Sequence, residues 1–139
     1  MKNILFFFLL LFSNFSIAQK NIFTNPDNKP NCGLMKNGTF LSTQYSFKEY
    51  HMVVKNGIQT EYNENGQYIR SKMEFLNECE YKTTILEVTI PNYFAKRGDI
   101  LTTKILQTQG QNIKIRSIMF GKEYEFVFIK MKELGKKHK

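Results

Sequence analysis

The sequence predicts an all-β domain: an antiparallel meander of seven to eight strands, closed as a small barrel or folded as a two-layer sheet. Three observations carry this. From Asn37 onward, β-branched and aromatic residues alternate with polar ones, which is the period of half-buried strands. The alternating runs are short and punctuated by Gly and Asn-Gly links, as consecutive antiparallel strands require. No stretch after residue 19 combines a helical period with caps, and 130–137 is at most a single turn. Closure also removes the two unpaired edges that an open meander exposes.

The first expected strand, 39–47, places Thr39, Leu41, Thr43, Tyr45 and Phe47 on one face. Strands 51–55 and 58–62 flank Asn56-Gly57, a two-residue hairpin signal because both turn positions need positive φ. Asn63-Glu64-Asn65-Gly66 is a second turn. Strand 68–76 then sets Ile69, Ser71, Met73 and Phe75 opposite Arg70, Lys72 and Glu74. In 79–90 the facing set Cys79, Tyr81, Thr83, Ile85 hands over to Leu86, Val88, Ile90, the one-residue shift of a β-bulge. After a loop over 91–98, strands 100–108, 112–120 and 123–131 turn at Gly110 and Gly121.

The N-terminus has the three parts of a signal peptide. Lys2 is the charged region, 4–12 is an unbroken apolar run, and Ser16-Ile17-Ala18 is a small-x-small cleavage site. A run of nine residues is too short for a membrane span, which needs about 20. No later segment is apolar enough to span. The expected organisation is therefore a signal peptide over 1–18, an extended leader over 19–36, the all-β domain over 37–132 and a basic tail over 133–139. The expected location is the periplasm or the outside of the cell.

Two cysteines, Cys32 and Cys79, an even count in an exported chain, predict one disulfide. No His lies near either in sequence to activate a thiol, and Cys32, Cys79, His51 and His138 supply a zinc site poorly. Removing Lys2 with the signal peptide lowers the formal charge from +8 to +7. The excess is mostly Lys, with only Arg70, Arg97 and Arg116. This reads as a solvated basic surface, or one that meets an anionic envelope component; export makes nucleic acid an unexpected partner.

Catalytic motifs are missing: there is no Gly-x-Ser-x-Gly, no His-Glu-x-x-His, no phosphate loop and no sign of a cofactor. Asp27 falls in the leader, and Asp99 after Gly98 reads as a turn cap. Glu78 and Glu80, like Glu123 and Glu125, read as solvated faces, and His51 as a structural or surface residue. The tyrosines Tyr45, Tyr62, Tyr68, Tyr81, Tyr93 and Tyr124 can line a barrel cavity or simply form strands. The face most suited to a ligand is that of Tyr45, Phe47, Met73, Phe75, Tyr81 and Phe126, with the tyrosines toward the opening and Phe75 and Phe126 in the core.

Gly38-Thr39-Phe40, Gln59-Thr60-Glu61, a strand ending in an aromatic residue just before Cys79-Glu80-Tyr81, and Gly98-Asp99 before a strand form an ordered series. Over roughly 32–108 it resembles a family of small exported bacterial proteins of unknown function, some of which carry the label DNA topoisomerase IV. That activity needs a tyrosine nucleophile and metal-binding carboxylates in a large assembly, for which this chain has neither length nor motifs. The resemblance brings no catalytic residues; it implies pairing of an early Cys with the Cys-Glu-Tyr strand. The functional expectation is a non-catalytic exported binding module, for a small apolar ligand. The alternatives are a surface-interaction or scaffold protein using a Lys-rich face, and, third, a small hydrolase.

Overall fold

In β2 (Tyr50–Lys55) and β3 (Ile58–Asn63) the chain folds back on itself through Asn56 and Gly57. Both turn residues have positive φ, 50° and 77°, as a primed two-residue hairpin demands. The computed structural model describes residues 22–132. The expected signal peptide and basic tail lie outside the described residues.

The remaining strands are β1 (Gly38–Ser42), β4 (Tyr68–Asn77), β5 (Glu80–Val88), β6 (Ile100–Gln109), β7 (Asn112–Met119) and β8 (Lys122–Lys130). Each pairs antiparallel with its sequence neighbour, and β8 pairs back onto β1, closing the meander into a barrel. Barrel and two-layer sheet were both open from sequence; the β1–β8 register Phe40↔Lys130 to Ser42↔Phe128 settles the choice.

Inward residues follow the strand period. Tyr50, Met52 and Val54 on β2, and Ile69, Ser71 and Met73 on β4, are buried, as are Tyr81, Thr83 and Ile85 on β5. The β5 bulge falls where the facing sets exchange: Ser71 pairs Ile85, but Arg70 pairs Glu87, leaving Leu86 as the extra residue. Two further register shifts, between Phe75 and Asn77 in β4 and between Ile105 and Gln107 in β6, have no counterpart in the expected strands.

The first strand departs from expectation. It ends at Ser42, so Tyr45 and Phe47 lie in the following loop and share no strand face. Its inward residue is Phe40, fully buried, whereas Thr39 and Leu41 are on the outer side. The cause is register: Phe40 pairs both Met52 and Lys130, and cross-strand partners share a face. The chain leaves the sheet after Ser42, where Gln44 N–H bonds Ser42 Oγ at 3.0 Å. Glu49 N–H then closes a turn on Ser46 O, also at 3.0 Å.

In a meander alternate links share an end. The links after β1, β3, β5 and β7 therefore form one rim, hereafter the mouth, and the other links form the opposite end. That opposite end is plugged. A short 3-10 helix, Cys32–Lys36, which the sequence did not announce, puts Met35 wholly inside and carries Cys32. Cys32 is disulfide-bonded to Cys79 just before β5, with Cα atoms 5.2 Å apart. The core here gathers Met35, Phe40, Val54, Met73, Ile105 and Ile113. β5 begins at Glu80, opposite Lys104, so beyond the Ile105 N–H, which bonds the Cys79 carbonyl, the far half of β6 has no strand partner on that side. The leader covers it. Asp27 N–H bonds Thr108 O at 2.9 Å, Asn31 N–H bonds Thr108 Oγ1 at 2.8 Å, and that hydroxyl also bonds the Asp27 carboxylate. Thus Asp27 serves the edge that an open strand would otherwise expose.

Candidate ligand-binding cavity

Between the plug and the mouth the barrel is incompletely filled. Two cavity lobes of about 60 and 90 Å³ lie in its interior and share Glu61, Leu101 and Phe126 as wall residues. The deeper lobe is lined by Tyr50, Met52, Gln59, Tyr81, Thr103 and Ser117, among others, with Tyr45 from the β1–β2 loop. The mouth lobe is lined by Ile69, Ser71, Thr83, Ile85 and Met119, and by Tyr93, Phe94 and Ala95 from the β5–β6 loop. That loop lies across the mouth and is braced by Asp99, whose carboxylate accepts from Lys96 N–H at 2.8 Å, the turn-capping role its sequence position suggested.

Glu61 is the polar centre of the cavity. It arrives there by register: the hairpin pairs Met52 with Glu61 and Val54 with Gln59. Since Met52 and Val54 point inward, their partners must too. β3 thus turns its polar residues in and Ile58, Thr60 and Tyr62 out. Tyr50 Oη donates to Glu61 Oε1 at 2.8 Å, and Gln59 Nε2 donates to Oε2 at 3.2 Å. Burial nevertheless pushes the Glu61 carboxyl above its ordinary range, against the lowering effect of those two donors. Among the lining residues of both lobes it is the only carboxylate, and no Lys, Arg or His accompanies it.

A second polar pair sits on the opposite wall. Thr103 Oγ1 and Ser117 Oγ are 2.8 Å apart and buried, and Thr103 acts on the nearby Tyr81 phenol to lower its pKa against the effect of burial. Burial raises the Tyr81 and Tyr93 phenols well above their ordinary value, with the Glu61 charge adding to both. Tyr50 is raised by burial and then by Glu61. These hydroxyls therefore remain neutral donors at physiological pH.

Of the six residues expected to form a ligand face, Tyr45, Tyr81 and Phe126 do line the deeper lobe. Tyr81 is at its wall, 2% exposed, and not at the opening. Met73 and Phe75 share a face of β4 as expected, but toward the plugged end. Met73 is core, and Phe75 packs on Tyr81 at 5.1 Å under the Lys36 ammonium. Phe47 is outside, 48% exposed, stacked 4.0 Å from His51, which stacks in turn on Tyr62. Of the other tyrosines, Tyr93 and Tyr124 line the mouth lobe, while Tyr62 and Tyr68 pack edge-on outside. Glu61, Gln59 and Tyr50 were missed as site residues. The signal that finds them is the Asn56-Gly57 register applied to the inward face of β2.

Among the described residues no group of three or more His, Cys, Asp or Glu side chains is placed to hold a metal, and no helix is long and apolar enough to cross a membrane. No protein-family model matches the chain, and no curated protein or solved structure is significantly similar to it.

Proposed function

We propose that the chain is an exported, non-catalytic binding module whose barrel holds a small, mainly apolar ligand. The observation that carries this is the pair of adjoining lobes that share Glu61, Leu101 and Phe126 as wall residues. An eight-stranded barrel is just wide enough to be filled by side chains or to hold one small ligand, and here the filling stops short. The two lobes, about 60 and 90 Å³, are each smaller than the ~150 Å³ apolar cavity that takes up benzene, so a ligand spanning both displaces the side chains between them. The apolar walls suit a hydrocarbon body, and the Glu61 and Thr103–Ser117 clusters supply the few placed polar groups that orient a ligand. A single carboxylate lining the lobes gives less support to a hydrolase, which would want two groups to share acid and base work. Export is supported by the apolar run 4–12 with its Ser16-Ile17-Ala18 cleavage site, and by a disulfide of the kind that persists in oxidising compartments.

Native mass spectrometry of protein purified from its own host tests both parts. The expected result is an N-terminus at or near Gln19 and a small-molecule mass excess lost on denaturation. A bare mass, together with an interior that takes up no apolar fluorescent probe, would defeat the ligand proposal. Retention of Met1 on cytoplasmic protein would defeat export.

A second reading has its own observation. The mouth end carries Phe47, Phe94, Ile100, Ile118 and Phe120, all exposed, beside the exposed Lys48, Lys96, Arg97 and Lys122. Apolar tips beside cations suit an anionic envelope surface, although Glu49, Glu64 and Glu123 are exposed on the same rim. Binding to anionic vesicles that weakens with salt would favour this reading, and it is compatible with a ligand delivered through the same mouth.

A further inference from the structure

We infer that the ligand of this barrel carries a protonated nitrogen, and that Glu61 is the group that recognises it. The inference rests on the ligand-binding proposal above and deepens it. Glu61 belongs to both lobes, so a molecule occupying either one meets it. Its two hydrogen-bond donors, Tyr50 Oη and Gln59 Nε2, are neutral. The ion pairs among the described residues engage Glu74, Glu78, Glu87 and Glu125, all on the outer surface, and none engages Glu61. Glu61 is half-buried on the cavity wall, and a carboxylate drawn out of bulk water without a countercharge is costly, so such groups are ordinarily paired. Each carboxylate oxygen accepts about two hydrogen bonds, and each is given one here, so acceptor capacity remains for a ligand.

The surroundings favour the same chemistry. Tyr50, Tyr81, Phe126 and Phe128 wall the deeper lobe, and Tyr93 and Tyr124 the mouth lobe. Aromatic faces attract cations electrostatically. Met52, Leu101 and Ile115 add apolar surface, so the wall of the deeper lobe carries no charged side chain besides Glu61. The class that fits is a small primary or secondary amine with an aromatic or branched aliphatic body.

Binding should then depend on pH through one group. The titratable groups facing Glu61 are the Tyr50 phenol from β2, Tyr81 from β5 and Tyr93 from the β5–β6 loop, all held above their ordinary value. Its remaining register partners, Met52 and Ile69, do not titrate. Only Glu61 changes charge across the acid range. A cation prefers the carboxylate, so amine affinity falls as pH drops through the raised Glu61 pKa, and amine binding releases a proton there.

Titration calorimetry of the mature protein with benzylamine and its neutral counterpart benzyl alcohol decides the matter. The amine should bind about tenfold tighter or more, the margin of a hydrogen bond to a charged group. That preference should shrink with acidification while the affinity for benzyl alcohol stays level. Glu61→Gln, checked for folding by circular dichroism, should bind the two probes alike. Should the variant fail to fold, the wild-type pH profile decides alone. Equal affinity for both probes in the wild-type protein, or an amine preference indifferent to pH, overturns the inference and leaves the barrel a site for neutral apolar ligands. Binding of neither probe overturns the ligand-binding proposal itself, and the inference with it.

Discussion

The Tyr50 hydroxyl donates a 2.8 Å hydrogen bond to Glu61 from the diagonal position of the β2–β3 ladder, where Met52 is the residue directly opposite. This pair sets two burial effects against each other. The phenol is made harder to ionise by the carboxylate, and the carboxylate is helped to ionise by the phenol, yet burial still keeps the carboxyl above its ordinary range. The folded protein therefore retains a proton on Glu61 at pH values where the unfolded chain has lost it. In the window from the ordinary carboxylate value up to the raised one, folding takes up a proton, and stability falls as pH rises. Below the window the Glu61 contribution is level; above it the loss is complete. Glu61→Gln removes the dependence. The variant is expected to melt at or above the wild-type temperature at neutral pH, with the gap closing on acidification. A melting series across pH checks it, and a variant less stable than wild type at neutral pH would mean that the Tyr50 and Gln59 hydrogen bonds outweigh the burial of charge.

At alkaline pH the phenols dominate. Tyr45 is pushed up to about 12 by burial and then by Glu49, and Tyr50, Tyr81 and Tyr93 are raised further by burial. In the unfolded chain a tyrosine ionises near about 10. From that value upward the unfolded state releases protons that the folded state holds, so stability declines with rising pH. The expected outcome is that the phenolate absorbance of these four residues appears together with loss of the folded circular dichroism signal. A smooth four-residue titration at constant secondary structure would contradict it.

The disulfide ties the plug to the barrel. Cys32 and Cys79 are 47 residues apart in sequence, and the chain-entropy relation gives about 4 kcal/mol for a closed loop of that size. Replacing both cysteines by serine should lower the urea midpoint accordingly, with the slope of the transition raised by a more expanded unfolded chain. The first region to lose amide protection should be the far half of β6, because the Cys79 carbonyl accepts from Ile105 N–H at 2.9 Å. Protection lost first at the mouth would show that the plug holds without its covalent tie.

Much of the fold was legible because two local rules leave little freedom. Alternation names the strands, and Gly or Asn at positive φ marks their ends; Asn56-Gly57 and the Leu86 bulge are the clearest cases. The site was only half legible, because hydrophobicity was used to choose the inward face. That works for β4, where Met73 and Phe75 outrank Arg70 and Lys72. It says nothing usable for β3, where Glu61 is inside and Tyr62 outside, because register with β2 overrides the preference of either side chain. It fails after Ser42, where a polar run of Thr43, Gln44 and Ser46 lets local turns replace the ladder. Phe47 thereby leaves the barrel for the His51 ring.

The last prediction concerns Phe120, the first residue of the β7–β8 turn. Phe120 has φ 53° and Gly121 φ 76°, the pattern of a primed hairpin turn that favours Asn at its first position. A bulky side chain in this left-handed region costs about 1–2 kcal/mol. Burial does little to offset it, since Phe120 is 61% exposed. Its one recorded ring contact among the described residues is edge-on to Phe94, at 6.2 Å between centroids. Phe120→Asn should therefore raise stability by about 1 kcal/mol in urea unfolding, as relief of a strained backbone position does. The same change removes the most exposed ring of the mouth, so capture by anionic vesicles should weaken. Gain of stability with loss of capture would mean that the aromatic is kept for contact at the cost of strain. A variant that is less stable than the parent would mean that the Phe94 contact and the packing of the β5–β6 loop behind it more than compensate for the backbone, and that Phe120 belongs to the closure of the barrel.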